Sequence, residues 1–256
     1  MIELKHIYKD FNTTSKVNPI NHVLKNVNLK INDGDFITII GSNGSGKTTL
    51  LNTIAGHFKP TKGSIFFDKD DVTNLKENER AKYVGRVFQD PTVGTISDIS
   101  IEENLALARK RGQKRKLVWA LKKDYIQPYK DVLKPLNLGI ENSLHEPVST
   151  LSGGQRQALT LIMATLQKPS ILLLDEHTAA LDPKTSKKIM DLTTKLVTEN
   201  HLTTLMITHN MRDALKYGNR IIMISDGKII FDGDEKAKKS LTVDDLYKKF
   251  DQAEGQ

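Results

Sequence analysis

The sequence contains no cysteine, few aromatic residues and no long apolar run. Without cysteine the chain can form neither disulfides nor thiolate metal sites, which fits a reducing compartment. No apolar run approaches the roughly 20 residues that a membrane-spanning helix needs. The N-terminus, MIELKHIYKDF, does not have the pattern of a secretory signal peptide. We therefore expect a soluble, cytosolic protein.

The composition is that of an ordinary globular protein, with a basic excess. The 256 residues are 38% hydrophobic and 27% charged, enough for one large domain or two small lobes. Lys and Arg outnumber Asp and Glu by 38 to 31. In RKRGQKRK (109–116), six of eight residues are basic. This stretch fits a solvated surface, an anionic membrane contact or a nucleic-acid contact. Because no aromatic residues are interleaved with it, we expect no nucleic-acid partner.

Apolar periodicity predicts strands and helices that alternate at both ends of the chain. The predicted strands cover residues 2–9, 23–31, 35–41, 63–67, 83–88, 170–176, 203–208, 220–225 and 228–232. The predicted helices outside the middle of the chain cover residues 47–56, 184–199, 210–217 and a tail from 242. Residues 100–165 are predicted to form helices only. The alternation predicts an α/β fold with a mainly parallel sheet, and the helical run predicts an inserted lobe.

The segment GSNGSGKT fits G-x-x-x-x-G-K-[ST] at each fixed position and lies between an apolar strand and a helix. Glycines let successive backbone N–H groups turn toward phosphate oxygens, and the helix N-terminus adds its positive end. A chance glycine-rich turn is the alternative. Lys47 can reach the β- and γ-phosphates, Thr48 can hold Mg²⁺, and Thr49 offers a hydroxyl to the α-phosphate. The predicted nucleoside triphosphate site comprises Gly41, Ser42, Asn43, Gly44, Ser45, Gly46, Lys47, Thr48 and Thr49.

Two carboxylates follow the apolar run of ILLLDEHTAALD, residues 171–182. Asp175 is predicted at the carboxyl end of a buried strand, where ligands gather in open α/β sheets and where it can hold Mg²⁺. Glu176 is expected to point elsewhere and to polarise an attacking water. His177 either joins a catalytic or metal site with them or shapes the turn that follows. Mg²⁺ prefers oxygen ligands, which favours the second interpretation.

The string LSGGQ, residues 151–155, precedes a helix and lies about twenty residues before the carboxylates. It predicts a helix N-cap with a loop that an anion can approach. Together with GSNGSGKT, in this order and spacing, it resembles the nucleotide-binding subunits of ATP-binding cassette (ABC) transporters over nearly the whole chain. The resemblance implies a P-loop NTPase (RecA-like) core with an antiparallel β subdomain and an inserted α-helical subdomain.

The same resemblance implies domain boundaries within a single ABC transporter domain. The ATP-binding core would comprise residues 1–94 and 166–256, and the helical signature subdomain residues 95–165. The small antiparallel sheet would be formed by residues 2–35 and 60–70.

The resemblance also implies catalytic and metal-binding roles. The catalytic residues would be Glu176, His209 and Lys47. Glu176 would be the base, and His209 in ITHN would contact the γ-phosphate. Gln89 in VFQD would sense Mg²⁺. The implied metal ligands are Thr48, Gln89 and Asp175. Two alternatives remain open: His209 could cap the helix that begins near residue 210, and Gln89 could be a surface residue at a strand end.

Further nucleotide contacts are implied by head-to-tail pairing of two copies around two ATP molecules. Phe11 in HIYKDF resembles the aromatic residue that stacks on adenine, with Tyr8 as a neighbouring candidate and core filling as the alternative role of Phe11. The contacts made across the dimer would be Ser152, Gly153, Gly154, Gln155 and, from AALD, Asp182.

Within the ABC family the chain is most similar to ATPase subunits of bacterial importers for tryptophan or tyrosine. The features are LLDEHTAALDP (173–183), LSGGQRQALTLIMAT (151–165) and the basic-helical stretch 109–130. Most family members have proline at the position of His177, so this histidine marks a subgroup. The alternatives are the ATPase of a lipoprotein or drug exporter, and an ABC ATPase that acts on DNA or ribosomes.

The importer resemblance implies ATP, Mg²⁺ and several protein partners. The partners would be a second copy of the chain, transmembrane permease subunits and, indirectly, a substrate-binding protein. The chain would lie peripherally on the cytoplasmic side of the membrane. Residues 89–104 would meet the permease, and Arg109, Lys110 and Arg111 would lie near the anionic membrane surface.

Overall fold

A computed structural model describes residues 1–14, 19–113 and 123–254. The chain divides into two compact units. We call Met1–Arg80 with His201–Gln256 the phosphate-loop unit, and Ala81–Asn200 the signature unit. These bounds differ from the domain boundaries predicted from the sequence, which stay a prediction. Among the described residues no helix is both long enough and apolar enough to span a membrane.

Most elements lie within three residues of their predicted bounds. The strands are β1 (Ile2–Asn12), β2 (Ile20–Ile31), β3 (Phe36–Ile40), β4 (Lys62–Phe67), β5 (Asp70–Asp71), β6 (Val84–Val87), β7 (Ile171–Asp175), β8 (Thr204–Ile207), β9 (Arg220–Ser225) and β10 (Lys228–Gly233). The helices are α1 (Lys47–Ala55), α2 (Glu77–Arg80), α3 (Ile101–Arg109), α4 (Ile126–Leu133), α5 (Gly153–Thr165), α6 (Pro183–Glu199), α7 (Met211–Lys216), α8 (Glu235–Ser240) and α9 (Val243–Glu254). The elements β5, α2 and α8 were not predicted because they are too short to show a period.

The phosphate-loop unit contains both an antiparallel and a parallel arrangement of strands. The antiparallel sheet has the order β2-β1-β4-β5, as expected for residues 2–35 and 60–70. Strand β3 pairs in parallel with β8 and β9, and β10 is antiparallel to β9. All five residues of β3 are buried, as in strands covered on both faces. The loop that follows β3 therefore starts from a rigid, buried strand.

A buried arginine fixes the far end of the helix that follows this loop. Arg80 Nη1 donates to the carbonyls of Thr53 (2.7 Å) and Ile54 (2.9 Å), in the last turn of α1, and Nη2 donates to the carbonyl of Thr73 (2.9 Å). Carbonyl groups in the last turn of a helix have no partner within the helix, and a cation there also complements the helix dipole. Arg80 thereby stabilises α1 from its C-terminus.

The signature unit combines a parallel strand pair with a helical core. Strands β6 and β7 pair in parallel, and all five residues of β7 are buried. Helices α3, α4, α5 and α6 pack around a cluster that includes Leu105, Leu133, Leu159 and Ile189. The prediction of helices is confirmed for α3, α4 and α5. Residues 134–150, in contrast, contain short 3₁₀ turns, because two prolines and a glycine in this stretch do not favour a continuous α-helix.

The basic stretch is not a uniformly solvated surface. Arg111 donates hydrogen bonds to the carbonyls of Ala164 (2.7 Å) and Gln167 (2.6 Å), at the end of α5. Burial lowers the pKa of the Arg111 guanidinium. Arg109 lies over the ring of Tyr125, at 3.7 Å from its centroid. Arg111 is therefore half-buried rather than fully solvated, and the location of the stretch near a membrane stays a prediction. Residues 114–116 lie outside the described part of the chain.

Candidate nucleotide and signature sites

The loop Gly41–Gly46 joins β3 to α1 in the geometry that the sequence predicts. Gly46 is the N-cap of α1 with φ 102°, and a Cβ atom there would lie 2.8 Å from the Val23 carbonyl oxygen. Both the backbone conformation and the space therefore require glycine. Within the part of the chain that the structure describes, no side chain caps α1 at Gly46. An anion is the natural partner at this position.

Polar side chains of the loop support the same interpretation. Lys47 Nζ donates to the carbonyls of Gly41 and Ser42, each at 2.8 Å, which holds the ammonium group across the loop. The buried hydroxyl of Ser45 has no hydrogen-bond partner within the described residues. The side chain of Thr48 is exposed at the start of α1, and the next residue, Thr49, is half-buried. The arrangement concentrates donors and one cation at a single loop.

The ring of Phe11 lies in a small aromatic group rather than in the core. It meets Phe58 edge to face, with 5.1 Å between ring centroids. Lys9 Nζ lies 4.8 Å from the centroid of Phe11 and 5.7 Å from that of Phe58. Phe11 is half-buried, as is Tyr8 on the same strand. The contact with adenine stays a prediction. Phe58 was missed, because nothing in the sequence pairs it with a residue 47 positions earlier.

His209 follows β8 and is exposed. The cap of α7 is the next residue, Asn210, whose side-chain oxygen accepts hydrogen bonds from the backbone N–H groups of Arg212 (2.9 Å) and Asp213 (3.2 Å). The alternative that His209 caps this helix is therefore wrong. Its contact with a γ-phosphate stays a prediction.

Asp175 ends β7, at the carboxyl end of a buried strand as predicted. Its Oδ2 lies 3.9 Å from Nη2 of Arg86, which stands on the paired strand β6 and covers the ring of Phe88 at 4.3 Å. Arg86 was missed, although its position near the end of a strand parallel to β7 could have indicated it. Gln89 follows β6 and is exposed, and its role as a metal ligand stays a prediction.

Glu176 begins the turn after β7 with φ 47°, a left-handed conformation that is uncommon outside glycine. Such a conformation costs about 1–2 kcal/mol and persists only where the surrounding structure holds it. The carbonyl of Glu176 accepts a hydrogen bond from the N–H of Ala179 (2.9 Å). The turn that carries the predicted base is therefore a strained element.

His177 is buried, with 2% of its surface exposed. Its Nε2 lies 3.0 Å from Oγ1 of Thr193, and the Thr193 hydroxyl donates to the Ile189 carbonyl at 2.8 Å. Because that hydroxyl is already a donor, its oxygen accepts from Nε2–H of the histidine. Burial lowers the pKa of His177 to about 4, so the ring is neutral at pH 7. Over residues 1–14, 19–113 and 123–254, no group of three or more His, Asp or Glu side chains could hold a metal ion.

Asp182 is the N-cap of α6 in the structure. Its Oδ1 accepts hydrogen bonds from the N–H groups of Lys184 and Thr185, each at 3.1 Å. The hydrogen bonds from Thr185 and Lys184 lower the pKa of the Asp182 carboxyl. The residue thus orients the start of α6, and its contact with a nucleotide stays a prediction.

The signature string forms the predicted N-cap of α5. Ser152 Oγ accepts from the N–H of Gln155 at 3.3 Å, and Gln155 Oε1 accepts from the N–H of Ser152 at 2.9 Å, a capping box. Ser152 and Gly153 are exposed, whereas Gly154 is buried. A Cβ atom at Gly154 would lie 2.4 Å from the Thr185 side chain, so a larger residue here would displace Thr185 at the start of α6. The cap is confirmed.

Arg156 connects the signature helix to the segment 89–104. Its Nε donates to Thr95 Oγ1 (2.7 Å) and its Nη2 donates to Ser97 Oγ (2.6 Å). Two apolar side chains of this segment, Val93 and Ile96, are 62% and 50% exposed. The segment therefore presents apolar surface while two of its hydroxyl side chains are hydrogen-bonded to α5. Arg156 was not predicted from the sequence, since its partners lie about sixty residues away.

Comparisons with known proteins agree with this geometry. A family model described as ABC transporter matches residues 24–179. The tyrosine transport ATP-binding protein of Clostridioides difficile is 44% identical over 253 residues, which cover 99% of this chain and 100% of that protein. The phosphonates import ATP-binding protein PhnC of Lactococcus lactis is 34% identical over 93% of this chain and 98% of that protein.

The fold of this chain is also similar to that of a solved structure. It is the dimeric post-hydrolysis state of the ATP-binding cassette MJ0796, bound to ADP and phosphate, from Methanocaldococcus jannaschii. It matches with a TM-score of 0.77 and 32% identity, over 92% of this chain and 99% of that chain.

Proposed function

This chain belongs to the ABC transporter family and is an ATPase with the ABC cassette fold, and we propose that it energises import of an aromatic amino acid, tyrosine or tryptophan. Import would proceed through a separate permease. The observation that carries the proposal is the similarity, over the full length of both chains, to the tyrosine transport ATP-binding protein. Substrate selection would lie with the permease and a substrate-binding protein, whereas this chain would supply the energy of ATP hydrolysis.

The phosphates of ATP would bind at the loop Gly41–Gly46 and the first turn of α1. The N–H groups of that turn and the ammonium group of Lys47 supply positive charge where negative charge develops on the transferred phosphoryl group. The glycine that positive φ requires at position 46 supports this assignment, as does the buried hydroxyl of Ser45, which has no hydrogen-bond partner among the described residues. Phe11 would contact the adenine ring.

Mg²⁺ fits the chemistry of the proposed ligands. The hydroxyl of Thr48, the amide oxygen of Gln89 and the carboxylate of Asp175 are oxygen donors, which Mg²⁺ prefers. When bound, Mg²⁺ would neutralise part of the phosphate charge. Arg86 would compete with the ion for Asp175, since its guanidinium lies 3.9 Å from that carboxylate.

Glu176 would accept the proton of the attacking water. His209 would contact the γ-phosphate, and its exposure at the end of β8 supports that role. Positioned carboxylate bases contribute by taking the proton as the nucleophile attacks. Most of the remaining rate acceleration would come from positioning and charge stabilisation.

We propose that two copies pair head to tail around two ATP molecules. Ser152, Gly153, Gly154 and Gln155 of one copy would face the ATP held by the loop of the other. The exposure of Ser152 and Gly153 at the N-terminus of α5 supports this, as does the dimeric form of MJ0796. Asp182 would contribute from the turn before α6.

The chain would work peripherally, on the cytoplasmic face of a membrane that holds the permease. The segment 89–104 would contact the permease through the exposed side chains of Val93 and Ile96. Its attachment to α5 through Arg156 would link that contact to the signature string.

Purification of the tagged chain from detergent-solubilised membranes of its own organism tests the importer assignment. We expect a permease and a substrate-binding protein in the complex, and calorimetric binding of L-tyrosine or L-tryptophan, but not L-leucine, to that binding protein. A permease alone would indicate an exporter, and ribosomal RNA or DNA would indicate a role outside transport. A binding protein that prefers L-leucine would contradict the aromatic substrate.

A further inference from the structure

The direction of the Glu176 carboxylate depends on what holds the turn after β7. The backbone of Glu176 is left-handed, and the turn is closed by two backbone hydrogen bonds, from Ala179 to Glu176 (2.9 Å) and from Leu181 to Thr178 (3.2 Å). These bonds lie within the turn, so they do not attach it to the rest of the unit. A strained turn needs a tertiary contact to stay in one conformation.

His177 provides that contact through its side chain. Its hydrogen bond to Thr193 joins two buried groups across sixteen positions of the chain, from the turn to the third turn of α6. The Thr193 hydroxyl is itself held by its bond to the Ile189 carbonyl, so the acceptor oxygen has a fixed direction. In a buried environment such a bond is stronger than in water.

The same bond closes a loop that contains the start of α6. The chain leaves His177, passes the N-cap Asp182 and returns along α6 to Thr193. The turn and the helix are therefore joined both through the chain and through this side-chain bond. Loss of the bond would remove the buried polar contact that ties the turn to α6.

On the basis of the proposed function, in which Glu176 acts on the attacking water, we infer that His177 is a positioning residue for Glu176. The hydrogen bond between His177 and Thr193 holds the strained turn and thereby fixes the direction of the carboxylate. His177 itself would not touch ATP. Its effect on catalysis passes through the adjacent residue.

Substitutions on α6 test this role without altering the turn itself. Thr193→Val removes the acceptor oxygen and keeps the shape, whereas Thr193→Ser keeps the oxygen. Thr194→Val is a matched control, because Thr194 makes the same kind of hydrogen bond, to the Met190 carbonyl at 2.9 Å, whereas the His177 ring is hydrogen-bonded to Thr193. The steady-state kcat and KM for ATP are measured for each variant, well below its melting temperature.

We expect Thr193→Val to lower kcat roughly tenfold with KM changed less than about twofold, because a misplaced catalytic group slows the chemical step and leaves ground-state binding intact. Thr193→Ser and Thr194→Val should both stay within about twofold of the parent protein. His177→Ala should resemble Thr193→Val. The double variant should be little slower than either single one, since both remove one interaction.

Equal kcat values for Thr193→Val and Thr194→Val would overturn the inference, as would a rise in KM that accounts for the whole loss. Glu176→Gln is measured alongside them. If Glu176→Gln abolishes turnover while Thr193→Val does not, only the positioning role fails. If Glu176→Gln turns over at the parent rate, the proposed base is wrong and the positioning role falls with it.

Discussion

The two units of the molecule build their functional groups in different ways. In the phosphate-loop unit, one continuous segment supplies backbone N–H groups and Lys47, and its shape depends on glycine at position 46. In the signature unit, the functional side chains come from separate segments. Ser152 and Asp182 are held by caps, and the turn at Glu176 is held through His177. The functional groups of the phosphate-loop unit are contiguous in the sequence, whereas those of the signature unit depend on side-chain contacts between distant residues.

Among the substitutions that compare the two units, Glu176→Gln should have the largest effect on ATP turnover. It should lower kcat for ATP by at least about 100-fold while the Kd for ATP stays within about threefold, because only proton transfer is lost. Lys47→Ala, in the other unit, should weaken ATP binding as well. Steady-state kinetics and nucleotide titration measure both effects.

Glu199→Gln, at the exposed end of α6, serves as the control for Glu176→Gln and should behave like the parent protein. Turnover near the parent rate in Glu176→Gln would mean that the base lies elsewhere.

The pH dependence of stability should differ between the units. Burial lowers the pKa of His177 from 6.5 to about 4 in the signature unit, and that of Lys238 from 10.5 to about 8 in the phosphate-loop unit. Between each folded pKa and its ordinary value, the unfolded chain binds more protons than the folded chain, so stability rises with pH across that window. We expect one rise between about pH 4 and 6.5, worth up to about 3 kcal/mol, and another between about pH 8 and 10.5.

Urea unfolding at a series of pH values measures these two rises. His177→Gln should remove the lower rise only, and Lys238→Met the upper rise only. A lower rise that persists in His177→Gln would assign it to a different group.

Of these changes, Ser152→Ala should have the smallest effect on stability. It separates the role of Ser152 as a helix cap from its proposed role at the nucleotide. The signature unit contains a second capping box, in which Ser100 caps α3 with Glu103. Loss of either serine should cost about 1 kcal/mol in the free energy of unfolding. Only Ser152→Ala should also lower ATP turnover, because only that serine faces a nucleotide in the proposed dimer.

Urea denaturation and an ATPase assay on Ser152→Ala and Ser100→Ala give both readouts. Equal turnover in the two variants would reduce Ser152 to a structural residue.

The same contrast explains how much was predictable from the sequence. Strands β3 and β7 and the helices α1, α5 and α6 follow from apolar runs, periodicity and caps, because these signals are local. The phosphate loop is likewise contiguous. The contacts of Arg156 with Thr95 and Ser97 and the hydrogen bonds of Arg111 to the end of α5 were not predictable, because they depend on residues more than fifty positions away.

The role of His177 was predictable from the sequence only in part. Its neighbours in the sequence indicate a turn between a carboxylate and a helix N-cap, and that interpretation agrees with the structure. Its partner Thr193 is not indicated, since a threonine in a helix more often bonds only to a carbonyl of its own helix. The hydrogen bond between His177 and Thr193 therefore could not be predicted from the sequence and is seen only in the structure.

The central claim is that each ATP site combines the phosphate loop of one copy with the signature string of another. It is tested most directly by mixing two inactive variants, Lys47→Ala and Ser152→Asp. Aspartate preserves the N-cap of α5 but places a negative charge toward the phosphates. In a mixed dimer, one site would pair the intact loop of the Ser152→Asp copy with the intact Ser152 of the Lys47→Ala copy. We predict that each variant alone is nearly inactive and that an equimolar mixture recovers about a quarter of the parent turnover, since half of the dimers are mixed and each holds one intact site. A mixture no more active than the mean of the two variants would contradict the claim.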